Sequence, residues 1–185
     1  VELSGTPDNT IINPERLGKE KQAQVCGQCH SLFESNHPES FLADGLDYQP
    51  GNDLLVNRKM IHHKDTDPSM LYYNMFWNDG TMRIGGREYP SLVQSKCYTH
   101  GEMTCLSCHS LHSMEEPSKQ LGLNMNTDQA CIQCHKEPQY TTDLAGHTHH
   151  QLDSEGSRCL NCHMPHTSYA LMRGIRSHRI ESPRI

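Results

Sequence analysis

The chain has 185 residues, enough for one large or two small domains, but only 34% are hydrophobic and 6% aromatic. That composition is too thin for a core built from aliphatic side chains alone, so something else must supply buried apolar surface. A formal charge of −6 gives nucleic acid no electrostatic footing, and no stretch approaches the ~18 apolar residues of a transmembrane helix.

The chain begins without an initiator Met and without a basic segment leading into an apolar run. It is therefore expected to be a mature, processed protein or a fragment of a longer one. Cys26, Cys29 and His30 form a first Cys-x-x-Cys-His string, and about 75 residues pass before the next. Between them, 41–90 is rich in turn signals: Asp44-Gly45, Pro50-Gly51-Asn52-Asp53, Asp79-Gly80 and Gly85-Gly86. Asp67-Pro68 followed by an apolar run to Trp77 predicts a capped helix with Pro at its first position. Thr81 to Tyr89 reads as a short hairpin, and Ser91 to His100 as a helix leading into the second motif, Cys105/Cys108/His109. Thr127 is placed to cap a short helix carrying the third motif, Cys131/Cys134/His135, ended near Pro138. The fourth is Cys159/Cys162/His163, and Thr167 to Ile180 is expected to be a C-terminal helix. The fold class that follows is mostly α with extensive loops and little β, its short helices wrapped around a covalent four-haem core. The organisation expected is an N-terminal segment, 1–95, with the first haem site, and a three-haem region, 96–185, the two able to form one continuous domain.

The motif has a chemical reason. Two cysteines three positions apart reach the two vinyl groups of one haem and form thioethers, and the adjacent histidine then lies under the iron as its proximal ligand. Paired cysteines also build zinc ribbons and redox-active dithiols, but neither requires a histidine after every second cysteine. With 14 histidines in the chain, four such coincidences have a chance of about 3 in 100,000. The cofactor reading is four haem c groups. Thioether attachment takes place outside the cytoplasm, which puts the protein in the periplasm or at the cell exterior.

Ten further histidines remain for the sixth coordination positions: His37, His62, His63, His100, His112, His147, His149, His150, His166 and His178. Imidazole on both faces gives a six-coordinate iron that accepts an electron with little rearrangement and leaves no position for substrate, as a carrier requires. His112 and His166 each follow a proximal histidine by three residues, too close to reach the far face of the same haem but able to reach a neighbour. Each spare histidine is weighed against a solvated loop residue or a propionate contact. Met103, Met114 and Met164 lie near motifs as alternative ligands, although most of the nine methionines read as gap-filling residues. Cys97 is the odd cysteine, a small buried hydrophobe before it is an intermolecular thiol or a ligand. Trp77, Tyr72, Tyr73 and Phe76 read as packing residues.

From Tyr89 onward the chain resembles multihaem cytochromes with paired Cys-x-x-Cys-His motifs, related to the tetrahaem cytochrome c-554 type and to octahaem nitrogen-cycle enzymes. The strings that carry the resemblance are Tyr89-Pro-Ser-Leu-Val-Gln-Ser-Lys96, Cys105-Leu-Ser-Cys-His-Ser-Leu-His-Ser113, His147-Thr-His-His150, Gly156-Ser-Arg-Cys-Leu-Asn-Cys-His-Met-Pro165 and Ile175-Arg-Ser-His178. The resemblance implies electron transfer and distal ligation by His112, by His150 (or His147 or His149) and by His178. Between His30 and Tyr89 the match is weaker. That leaves the fourth distal ligand open; His100 is the choice, with His37, His62 and His63 behind it. Relatives tend to carry Met where Cys97 stands, so no role is carried to it.

The function expected is electron transfer through four bis-histidine haems rather than enzymatic catalysis. The partners expected are redox proteins or further copies of the chain, as in an extracellular conductive filament. The rival is a redox enzyme with one five-coordinate haem acting on a small nitrogen compound; a purely structural haem-stapled domain is a third and weaker reading.

Overall fold

A computed structural model of the chain describes residues 11–45, 48–110, 120–169 and 173–183. Proline, glycine and Asx turns recur every few residues, and the helices are correspondingly short. Among the described residues they are α1 (Lys19–Gly27), α2 (Pro38–Asp44), α3 (Tyr89–Leu92), α4 (Lys96–Thr99), α5 (Gln129–Ile132), α6 (Pro138–Thr141), α7 (Leu144–Thr148) and α8 (Cys159–His163). Proline opens α2, α3 and α6 within their first two positions, where its missing N–H costs nothing. Two small antiparallel sheets complete the fold: β1 (Phe33–Ser35) with β2 (Arg58–Met60), and β3 (His166–Tyr169) with β4 (Arg173–Arg176). The mostly helical, loop-rich architecture with little β is thus observed.

The apolar core is small. Leu32, Ile61, Phe76 and Met82 cluster beside the first sheet, with Tyr72, Met75 and Ile84 packed against them. The other buried hydrophobic side chains among the described residues are Ala23, Leu54, Tyr89, Leu92 and Leu160. Helix α1 packs on α3 at Gly27, where an added Cβ would lie 3.0 Å from the Tyr89 ring, so only glycine lets the two helices approach this closely. Lys19 Nζ donates to the Tyr98 and Gly101 carbonyls, each at 3.0 Å, and Thr104 hydrogen-bonds Gln22. The first motif is therefore tied directly to the chain around the second.

Several sequence expectations are corrected. The run from Asp67 to Trp77 is a string of turns with one 3₁₀ turn at Tyr73–Met75, not an α-helix. The Asp67 carboxylate accepts from the Ser69 N–H at 2.8 Å, and Phe76 pairs with Met82 in an isolated bridge, so an Asx turn and core packing take over the backbone. That bridge and the turn at Gly86 (φ +74°) replace the hairpin expected over Thr81 to Tyr89. The helix expected from Ser91 to His100 is two helices. Buried Ser95 donates to the Leu92 carbonyl at 2.7 Å and accepts from the Tyr98 N–H, ending one helix and capping the next. Thr127 does accept from the Gln129 N–H at 3.2 Å, but α5 stops at Ile132, and Pro138 opens the following helix instead of closing this one. The C-terminal helix expected over Thr167 to Ile180 is the β3–β4 hairpin, in register Thr167↔Ile175 and Ser168↔Gly174. β-branched Thr167 and Ile175 suit that pairing, and Arg176 anchors the hairpin on α8.

Candidate haem sites

The four motifs sit at four different local structures. Cys26 lies in the last turn of α1, with Cys29 and His30 just beyond. Cys105 begins a 3₁₀ turn that leads to Cys108 and His109. Cys131 lies in α5 with Cys134 and His135 following, and α8 consists of Cys159 to His163. In each of the first three, the histidine N–H donates back to the carbonyl of the motif's first cysteine, at 2.9, 2.9 and 3.0 Å, the compact turn the spacing calls for.

The motifs touch in sequence order. The Cys26 and Cys105 side chains hydrogen-bond, which holds the Cys26 thiol down to about 7 while that bond and burial push Cys105 up. The Cys131 and Cys159 thiols form the equivalent pair, with Cys159 lowered and Cys131 raised. Between these pairs, burial and the neighbouring Cys134 and Cys97 thiols raise Cys108, and Gln133 Nε2 donates to the Ser107 carbonyl at 3.1 Å. Cys97, half-buried, therefore lies at the junction of the second and third motifs. The Asp128 carboxylate, which accepts from the Cys159 N–H at 2.8 Å, ties the third to the fourth.

Two histidine pairs bring their rings close together and nearly parallel. The rings of His109 and His178 are 6.2 Å apart and 20° from parallel; those of His147 and His163 are 6.3 Å apart and 1° from parallel. Two metal–imidazole bonds of about 2 Å, plus about 1 Å from each nitrogen to its ring centre, put trans ligands about 6 Å apart. Burial lowers both His109 and His178, favouring the neutral imidazole that ligates metals. Second-atom contacts orient the rings. Glu181 O accepts from His163 Nδ1 at 2.9 Å, Arg176 O accepts from His178 Nδ1 at 3.1 Å, and the Gln120 backbone bonds His109. His30 Nδ1 differs in facing a carboxylate, Glu88 Oε2, at 3.1 Å. Burial works to raise the Glu88 carboxyl, but the His30 and Gly86 hydrogen bonds outweigh it and hold it at about 2. With Nδ1 occupied, Nε2 of His30, His163 and His178 remains for a metal.

The remaining candidates are dispersed. His100 C-caps α4, exposed, its Nδ1 2.9 Å from Thr99 Oγ1. His150 lies against Gly156, where an added Cβ would meet its ring at 2.5 Å, rather than beside a proximal histidine. His149 takes a left-handed conformation (φ 59°) at the end of α7. His37 N-caps α2, His62 precedes a 3₁₀ turn that His63 begins, and His166 opens β3. His112 and Met114 lie outside the described residues. Tyr140, unremarked in the sequence, stands edge-on to both His135 (5.4 Å) and His147 (5.0 Å). Sequence reasoning also missed Glu88, which comes 58 residues after its partner. Among the described residues, no group of three or more His, Cys, Asp or Glu converges as an ion site.

These residues fit haem c. The second cysteines Cys29, Cys134 and Cys162 are exposed and free to react, and Leu123, 88% exposed, leaves apolar surface open beside the second motif. Residues 98–139, which carry the second and third motifs, match the family described as a doubled CXXCH motif. This stretch is a multihaem c-type cytochrome module. Comparison with curated proteins and with solved structures gave no match. The chain contains no helix, among the described residues, long and apolar enough to cross a membrane.

Proposed function

We propose that this cytochrome carries electrons through four covalently bound haems, one at each motif, in the order 1–2–3–4. The observation that supports this most is the end-to-end contact of the motifs through Cys26–Cys105, Gln133–Ser107 and Cys131–Cys159. When bound, haem supplies an iron that cycles by one electron. The protein's part is to hold the groups in line and to fill both axial positions. His30, His109, His135 and His163 are the proximal ligands. The parallel rings favour His178 as the distal ligand at site 2 and His147, in place of His150, at site 4. His100 and His112 stay assigned to the distal positions of sites 1 and 3, and contacts such as Lys19 with Tyr98 support reading 1–95 and 96–185 as one continuous unit.

The relationship is to the c-554 type, and the location is extracytoplasmic, in the periplasm or at the cell surface. The finer reading is a subunit of an extracellular filament, in which each copy gives a histidine to the next through a heterologous contact that does not close. Electron microscopy showing only monomers at high concentration would rule the filament out. The test of the carrier itself is an absorption spectrum of the reduced protein with and without carbon monoxide. An unchanged spectrum is expected, since six-coordinate irons leave no position for the gas. A change worth about one haem in four would instead expose an open site and the enzyme reading.

A further inference from the structure

We infer that Glu88 is a positioning residue that gives site 1 the lowest reduction potential of the four, so that the electron path has a built-in low-potential end. The inference rests on the carrier reading above. Its ground is a contrast among the histidines. His163 and His178 place Nδ1 on neutral backbone carbonyls, and His109 bonds the Gln120 backbone. His30 alone among these proximal and distal rings places Nδ1 on a full carboxylate. A carboxylate accepting the Nδ1 proton lends the ring imidazolate character, makes Nε2 a stronger donor and favours the ferric state. A carbonyl does this far less, because it carries no net charge.

The contact is built rather than incidental. Glu88 uses its other oxygen, Oε1, to accept the Gly86 N–H at 2.8 Å, so the carboxylate cannot swing freely. On either side, Arg87 Nη1 donates to the Cys29 carbonyl at 2.8 Å and the Tyr89 N–H donates to the His30 carbonyl at 3.0 Å. Three consecutive residues thus clasp the end of the first motif. Gly86 turns at φ +74°, a conformation that side chains rarely adopt, to present them. Glu88 also lines the small cavity that holds His178. Its charge therefore lies toward site 2 as well, at longer range and with a weaker effect.

The test is spectroelectrochemical titration of the purified holoprotein, wild type against Glu88→Gln. Glutamine keeps an acceptor near Nδ1 and removes the charge. The lowest of the wild-type waves should move upward, with the reduced-to-oxidised ratio of that site at its wild-type midpoint rising at least about tenfold, or about 59 mV for one electron. One low-spin ferric EPR signal should change its g-values with that wave, while the others stay. A merely structural role would leave both readouts in place. Superimposed titrations with the haem content unchanged overturn the inference. Where Glu88→Gln fails to load its haems, Glu88→Asp is read in its place, since it keeps the charge but lengthens the contact. An upward shift smaller than that of a neutralised site supports the inference, and superposition overturns it. A wild-type protein that binds no haem would sink the carrier reading and this inference together. A full set of waves indifferent to Glu88 would sink the inference alone.

Discussion

The histidine cluster after α7 shows how much depends on a single residue's direction. His147, His149 and His150 are near neighbours in sequence, yet only His147 presents a ring parallel to His163. Side chains three positions apart on a helix leave it at nearly the same azimuth. The left-handed turn at His149, however, takes His150 off the helix and onto Gly156. Replacing His147 with Ala should therefore open one iron, and carbon monoxide should then alter about one quarter of the reduced haem spectrum. His150→Ala should leave the spectrum unchanged. The opposite pattern would return the distal role to His150.

At the scale of elements, the β3–β4 hairpin and α8 act together through Arg176. Its Nη1 donates to the Leu160 and Met164 carbonyls at 2.9 and 3.0 Å, and its Nη2 to Asn161 Oδ1 at 2.9 Å. The Met164 carbonyl belongs to the C-cap of α8, and the Leu160 carbonyl already accepts the Met164 N–H at 3.1 Å, so Arg176 is its second donor. Arg176→Ala removes all three of these bonds and should cost about 2 kcal/mol in denaturant unfolding; Arg176→Lys, keeping one donor group without the fork, should lose less. Because His178 follows two residues later, loosening this anchor should also broaden the site 2 redox wave. Denaturation curves that superimpose for wild type and alanine variant would remove Arg176 from this role.

For the whole molecule, the decisive quantity is the shortage of apolar interior. The core beside β1 and β2 is four buried side chains with three partners, while Leu42, Leu71 and Leu123 are more than three-quarters exposed. Ordering a chain costs roughly 1–2 kcal/mol per residue in backbone entropy alone. So few buried groups do not offset that cost. Haems held at the four motifs, with their large apolar faces and two covalent links each, would supply both burial and cross-linking. A chain with the eight motif cysteines replaced by serine should show no cooperative unfolding transition by circular dichroism and an expanded hydrodynamic radius. A sharp transition in that variant would mean that the polypeptide folds without its cofactors.

The chemistry proposed for the four motifs rests on residue order alone. Thioether attachment and proximal ligation depend on atoms within five consecutive residues, and local spacing encodes them completely. The loop-rich, mostly helical class was legible for the same reason, since Gly, Pro and Asx turns act on their immediate neighbours. What failed was what depends on distant partners. The 167–180 segment has no strong local preference, and pairing of Thr167 with Ile175 and anchoring by Arg176 decided that it is a hairpin. The contact of Cys26 with Cys105, the parallel rings of His147 and His163 and the Glu88 contact to His30 all join groups far apart in the chain or turned by the backbone between them. No periodicity announces such contacts. Only the tertiary structure brings Cys26 to Cys105, Cys131 to Cys159 and Glu88 to His30, because packing rather than spacing closes those distances.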